Sequence, residues 1–186
     1  MDEPLRQLLQ NVLMYVLVPV WMAAGFGDWI CHRVLKMEHT AGLKESLLHL
    51  LMLAELGPCL LLVLFSEVNA LVLSVLVLAC IAHELTVWWD LLYAIKCREI
   101  PVVEQWLHSF QIAAPWVSLG ALVVLHSNQA LALIGLRDGA QWTLEWKHQP
   151  LPLSSSVGIL CAGLLLIGVP FLEETWRCWR VRQARG

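Results

Sequence analysis

Four carboxylate–imidazole pairs at helical spacing carry the chemistry of this chain: Asp28-x3-His32, Glu45-x3-His49, His83-x6-Asp90 and Glu104-x3-His108. Residues four apart lie about 40° apart around an α-helix, and residues seven apart about 20°. Each carboxylate therefore shares a helix face with its imidazole. Each pair also sits near the end of an apolar stretch, where an unbalanced charge is expensive. Oxygen and imidazole ligands together suit iron, manganese or zinc, and the soft sulfur ligands that favour monovalent copper are missing from the set. The four carboxylates Asp28, Glu45, Asp90 and Glu104 would be neutralised by two divalent ions. The expectation is a dinuclear metal centre, with two irons first and zinc or manganese fitting the ligand types as well.

The elements that must position these pairs are membrane helices. The chain has 186 residues, 59% hydrophobic and 15% charged, against roughly 25% charged in an average soluble domain. Five stretches reach the roughly 20 apolar residues that a transmembrane helix needs. They run from about 8 to 30, 47 to 65, 68 to 92, 102 to 125 and 157 to 172. Ser66-Glu67-Val68-Asn69 is the only polar break between the second and third, so a tight helical hairpin is expected there. Met1-Asp2-Glu3-Pro4 lacks the positive start of a cleaved signal peptide, so the first stretch reads as a retained span. The fold class expected is an all-α, polytopic bundle forming one transmembrane domain. Residues 137–152 are expected to cap it outside the membrane, with a short amphipathic helix. The formal net charge of −3 points to no nucleic-acid partner. The six cysteines form no CxxC pair and read as small hydrophobes.

Basic residues set the direction. With the N-terminus on one side, the opposite side receives Arg33, Lys36, Lys44, Lys96, Arg98, Arg177, Arg180, Arg182 and Arg185. The N-terminal side receives only Arg6, Arg137 and Lys147. The N-terminus is therefore expected outside and the C-terminus in the cytoplasm, in a multi-pass protein of a bacterial inner membrane. Trp29, Trp88, Trp89, Trp106, Trp176 and Trp179 fall at the cytoplasmic boundary, as an aromatic belt would. The same topology brings all four pairs to one depth near the cytoplasmic face. The bland reading of the pairs is a polar network tying the helices together.

Further polar residues have several readings. His39 is either a fifth imidazole ligand or a solvated loop residue. Glu55 and Glu84 are the candidate catalytic carboxylates. Glu55, deeper than His49, suits a buried proton carrier, and Glu38, Glu55 and Glu84 can also orient ligand imidazoles. Glu173 and Glu174 are expected to pair with Arg177 and Arg180 at the interface.

In ligand logic, Asp28 to His108 resembles the integral-membrane non-haem diiron proteins. The placement is similar to that of the desaturase and alkane hydroxylase group, without its HxxxH and HxxHH boxes. The carboxylate-rich motifs are similar to the E-x-x-H motifs of the alternative oxidase group, with x3 spacing and Asp replacing Glu twice. The resemblance implies an oxidoreductase that activates dioxygen to hydroxylate, desaturate or oxidise a lipophilic small molecule drawn from the membrane lipids. Its electrons would come from a donor protein or a quinol, since no flavin, haem or ferredoxin motif is present. A dimetal zinc hydrolase of a lipid or prenylated peptide is the alternative, because Glu173-Glu174-x-x-Arg177 resembles the glutamate motif of membrane-embedded CAAX-type proteases. A metal transporter or sensor is disfavoured by the apolar extracellular halves of the spans. Bis-histidine haem would leave four carboxylates beside a porphyrin.

Overall fold

The computed structural model of the chain describes residues 2–185, and no β-strand forms among them. Five helices are long and apolar enough to cross a membrane: α1 (Glu3–Val34), α2 (Leu43–Phe65), α3 (Ala70–Cys97), α4 (Val102–Leu125) and α6 (Leu153–Arg185). A short helix, α5 (Ser127–Leu133), follows α4. The expected spans are all present and extend further into polar sequence at most ends. Helix hydrogen bonds satisfy the backbone internally, which is the only economical arrangement for a single segment in hydrocarbon.

The five long helices close into a ring. α1 packs on α4, α4 on α3, α3 on α2, α2 on α6, and α6 returns to α1. Their outward faces carry exposed apolar side chains such as Leu61, Leu78, Val117 and Leu165. An apolar core of Cys59, Val72, Leu73, Leu76, Cys80 and Leu119 packs at one end of the ring. The polar residues gather at the other end.

Proline shapes two of the walls. Pro19 and Pro170 lack an N–H and would collide with the carbonyl four residues back. α1 and α6 each insert a single π-helical turn just before them, at Leu13–Leu17 and Leu164–Gly168. Such turns widen the helix locally and relieve the clash.

The connections are short and tied down. The α1–α2 loop turns through Lys36 and Gly42, both at positive φ. Its Met37 is fully buried against Ala41 and Cys178 of α6, and the Tyr93 hydroxyl donates to the Ala41 carbonyl at 2.9 Å. The α2–α3 hairpin turns at residues 66–69, as expected. Asn69 caps α3 by accepting from the Val72 N–H at 3.1 Å.

Residues 136–152 form no helix, so the amphipathic helix expected in the cap is not there. This segment spends its backbone on the hairpin instead. Lys147 N–H donates to Phe65 O at 2.8 Å, Glu67 N–H to Glu145 O at 3.0 Å and Leu71 N–H to Gln141 O at 3.1 Å. Gly139 at φ +90 and the prolines 150 and 152 also oppose a helix.

Candidate metal centre

Every long helix contributes to one polar cluster inside the ring. α1 supplies Asp28 and His32 near its end, and α2 supplies Glu45 and His49 near its start. α3 supplies Asp90 near its end, and α4 supplies Glu104 and His108 near its start. All seven side chains are buried except that of His108, which is 15% exposed.

Two members of the cluster escaped the sequence reading. Glu174 of α6 is completely buried. It does not pair with Arg177 or Arg180 at the interface as expected. Its Oε2 lies 2.9 Å from His32 Nδ1 and its Oε1 lies 2.9 Å from His49 Nδ1. The two rings stack almost parallel, with centroids 4.8 Å apart and an interplanar angle of 6°. Arg98, just beyond α3, extends its guanidinium between Glu45 and Glu104. Its Nε donates to Glu45 at 3.2 Å and its Nη1 to Glu104 at 2.9 Å. Burial works against its charge, but these bonds to Glu104 and Glu45 prevail and hold it protonated well above the ordinary arginine range.

The geometry around His32 decides what the cluster needs. A carboxylate only accepts, so Glu174 places a proton on each imidazole's Nδ1. In a neutral ring Nε2 then carries the lone pair. His32 Nε2 faces Glu104 at 3.2 Å, Asp28 at 3.5 Å and Glu45 at 4.0 Å. His49 Nε2 faces Asp90 at 3.4 Å. His108, whose tautomer no such contact fixes, holds Nε2 within hydrogen-bond distance of Asp28 at 3.0 Å and lies 3.9 Å from Glu104. Lone pairs aimed at carboxylate oxygens repel unless a proton or a metal ion lies between them. An imidazole held at one nitrogen by a carboxylate and open at the other is the usual form of a metal-ligating histidine.

Two overlapping groups are compact enough to hold an ion. Asp28, His32, Glu104 and His108 each offer a ligand atom, all within 4.8 Å of one another, and so do His32, Glu45 and His49. Asp90 adds a buried Oδ1 with no hydrogen-bond partner. The residues present therefore fit a metal centre of oxygen and imidazole ligands.

The remaining expected residues lie elsewhere. His83 does not reach the cluster. Seven residues separate it from Asp90, which keeps the two on one face but two turns, about 10 Å, apart in depth. His83 Nδ1 stands 3.5 Å from Glu55 Oε2 instead, and Glu55 accepts from the Thr86 hydroxyl at 2.6 Å. Glu84 accepts from the Trp116 indole at 2.9 Å on the outer surface. His39 is half-exposed and bonded to Arg185 at 3.0 Å, which favours its reading as a loop residue. Glu38 pairs with Arg177 and orients no imidazole of the cluster. Glu173 does pair with Arg177, at 3.3 Å, as expected, and it also accepts from Arg33 at 2.6 Å and from the Trp29 indole at 3.1 Å.

A cavity of about 460 Å³ adjoins the cluster, with His49 and Phe171 at one end of its wall. His83 also lines it, together with apolar residues of α1, α2 and the π-turn of α6. Comparison of the chain with family models, curated proteins and solved structures returns no match.

Proposed function

We propose that this chain is a membrane-embedded dinuclear metal oxidoreductase, with two irons held by Asp28, His32, Glu45, His49, Asp90, Glu104 and His108. The observation that carries the reading is Glu174, which fixes both His32 and His49 with Nε2 turned into a nest of carboxylates. Charge supports the number of ions. Five buried carboxylates less the Arg98 guanidinium leave four negative charges, which two divalent ions balance with the imidazoles neutral. The iron pair would supply dioxygen activation.

The chain's own residues supply the rest. Glu174 orients two ligand rings. Arg98 offsets excess negative charge and holds Glu45 and Glu104 at a fixed separation. The cavity beside His49 takes a lipophilic substrate and keeps water from it. His83, on that wall with Glu55 behind it, is placed to hold a proton near the substrate.

The bias of Lys and Arg argues that the cluster end faces the cytoplasm, with the N-terminus outside. Substrate then enters sideways from lipid, while a donor protein or quinol delivers electrons from the cytoplasmic side. The ligand logic also resembles that of the membrane diiron proteins. The test is elemental analysis with an optical spectrum on protein purified without chelators. Stoichiometric zinc without iron would refute the oxidoreductase. It would favour the alternative, a zinc hydrolase, for which the inward-facing Glu174 of the Glu173-Glu174 motif also speaks.

A further inference from the structure

A second cavity, of about 400 Å³, lies on the far side of the first. The two share the wall residues Trp21, Leu56 and Leu60, so they meet end to end along α2. The π-turn of α1 faces one and the π-turn of α6 faces the other. The first half of α1 buries no residue, and it lines the second cavity together with Ser155 and Ile159 of α6.

The outer end of this double cavity is basic. His126 and Lys147 both line it, and Arg6 shares a neighbouring cleft with His126. The Lys147 ammonium donates to the Val63 carbonyl at 2.7 Å, and Arg6 donates to the Leu125 carbonyl at 3.4 Å. Neither has a carboxylate within ion-pair distance among the described residues. Glu67, whose charge reaches Lys147, is itself bonded to the His148 N–H at 2.7 Å. Burial lowers the pKa of His126, and the charges of Lys147 and Arg6 lower it further. Burial also lowers that of Lys147. Lys147 and His126 thus line one mouth, with Arg6 in the cleft beside it; Glu67 answers part of this charge from a distance, and neither cation has a direct ion pair among the described residues, which is where an anion gains.

The axial distance sets the length of what fits. Lys147 marks the level of Val63, and His49 lies fourteen residues away on α2, about 21 Å at 1.5 Å per residue. That exceeds the roughly 15 Å that one leaflet's acyl chain spans, so the double cavity takes a long chain in extended form.

We propose that the substrate is an anionic single-chain amphiphile, with its headgroup at Lys147, Arg6 and His126 and its chain end beside His49. This deepens the proposed function by naming the substrate class, and it rests on that reading only in taking His49 as the metal end. The shared headgroup chemistry is a carboxylate or a phosphate monoester.

The test is binding to purified full-length protein in an uncharged detergent, with metal content measured on the same samples. Hexadecanoate and hexadecyl phosphate are the two headgroup arms, and hexadecanol and octanoate are the controls. At least one long anion should bind about tenfold or more tightly than either control. Lys147→Gln and Arg6→Gln should each weaken that anion by about tenfold and leave hexadecanol unchanged. Hexadecanoate carrying a terminal diazirine should crosslink around Phe171 and Leu164. Equal binding of alcohol and anion, or crosslinks confined to the first fifteen residues, would overturn the proposal. Loss of metal with chain-selective binding retained would instead strike the metal reading alone.

Discussion

Replacing Glu174 by Gln separates a metal centre from a polar network most sharply. The carboxylate accepts from two Nδ1–H groups, each at 2.9 Å. Gln keeps one carbonyl acceptor and turns an N–H₂ towards the other ring. One imidazole must then move its proton to Nε2, which removes the lone pair that faces Asp28 and Glu104 or Asp90. Losing a carboxylate that orients a ligand imidazole typically costs 10- to 100-fold in metal affinity, or about 1.4 to 2.8 kcal/mol. The change is nearly isosteric, so the fold should survive, and unchanged circular dichroism would confirm that. The assay is competition for iron(II) or zinc between metal-free protein and a chromophoric chelator. Glu173→Gln is the control, since that side chain bonds Arg33 and Trp29 instead of the cluster. Wild-type affinity in Glu174→Gln would refute the claim that this residue orients two ligands.

Arg98→Gln removes the guanidinium that lies between Glu45 and Glu104. The metal-free protein should lose about 3 to 5 kcal/mol, the usual cost of stripping one partner from a buried pair, and the gain in Tm on adding metal should widen. His83→Ala and His39→Ala should keep full metal content by elemental analysis, because neither ring reaches the cluster, whereas His108→Ala should lower it. Gly25 lines the inner cavity, and a Cβ there meets Ile167 Cδ1 at 2.6 Å. Gly25→Leu should therefore abolish turnover or long-chain binding while metal content stays within error of wild type. Dialysis against a strong chelator should destabilise the wild type, since repelling carboxylates remain buried together; thermal unfolding with and without metal measures this.

The sequence made much of the centre legible because its signals were local. The i, i+4 pairs at Asp28, Glu45 and Glu104 share both a face and a depth, so hydropathy and helix direction sufficed to bring them together. His83 shows the limit of face-counting: a seven-residue spacing preserves angle but shifts depth by two turns. Glu174 read as interfacial because Arg177 follows it at helical spacing and Arg180 lies further along the same helix. The signal that it faces inward was present in the buried stripe Pro170, Phe171, Glu174 and Cys178, which recurs with helical period. Glu173 falls off that stripe. Arg98 was counted among the loop cations that set direction, and no spacing rule reveals that a residue beyond a helix end folds back into the bundle. The cap at 136–152 resisted for a related reason. Its backbone partners, Phe65, Glu67 and Leu71, lie at and beside the α2–α3 turn, far away in sequence, and a local pattern cannot show such pairing.

The most direct test is the metal stoichiometry of protein purified without chelators, set beside that of single variants Asp28→Asn, His32→Ala, His49→Ala and Glu104→Gln. Two irons per chain are predicted for the wild type, with a marked loss in each folded variant. Metal-free wild type that binds no added iron, zinc or manganese, or an unchanged stoichiometry in all four variants, would contradict the dinuclear centre.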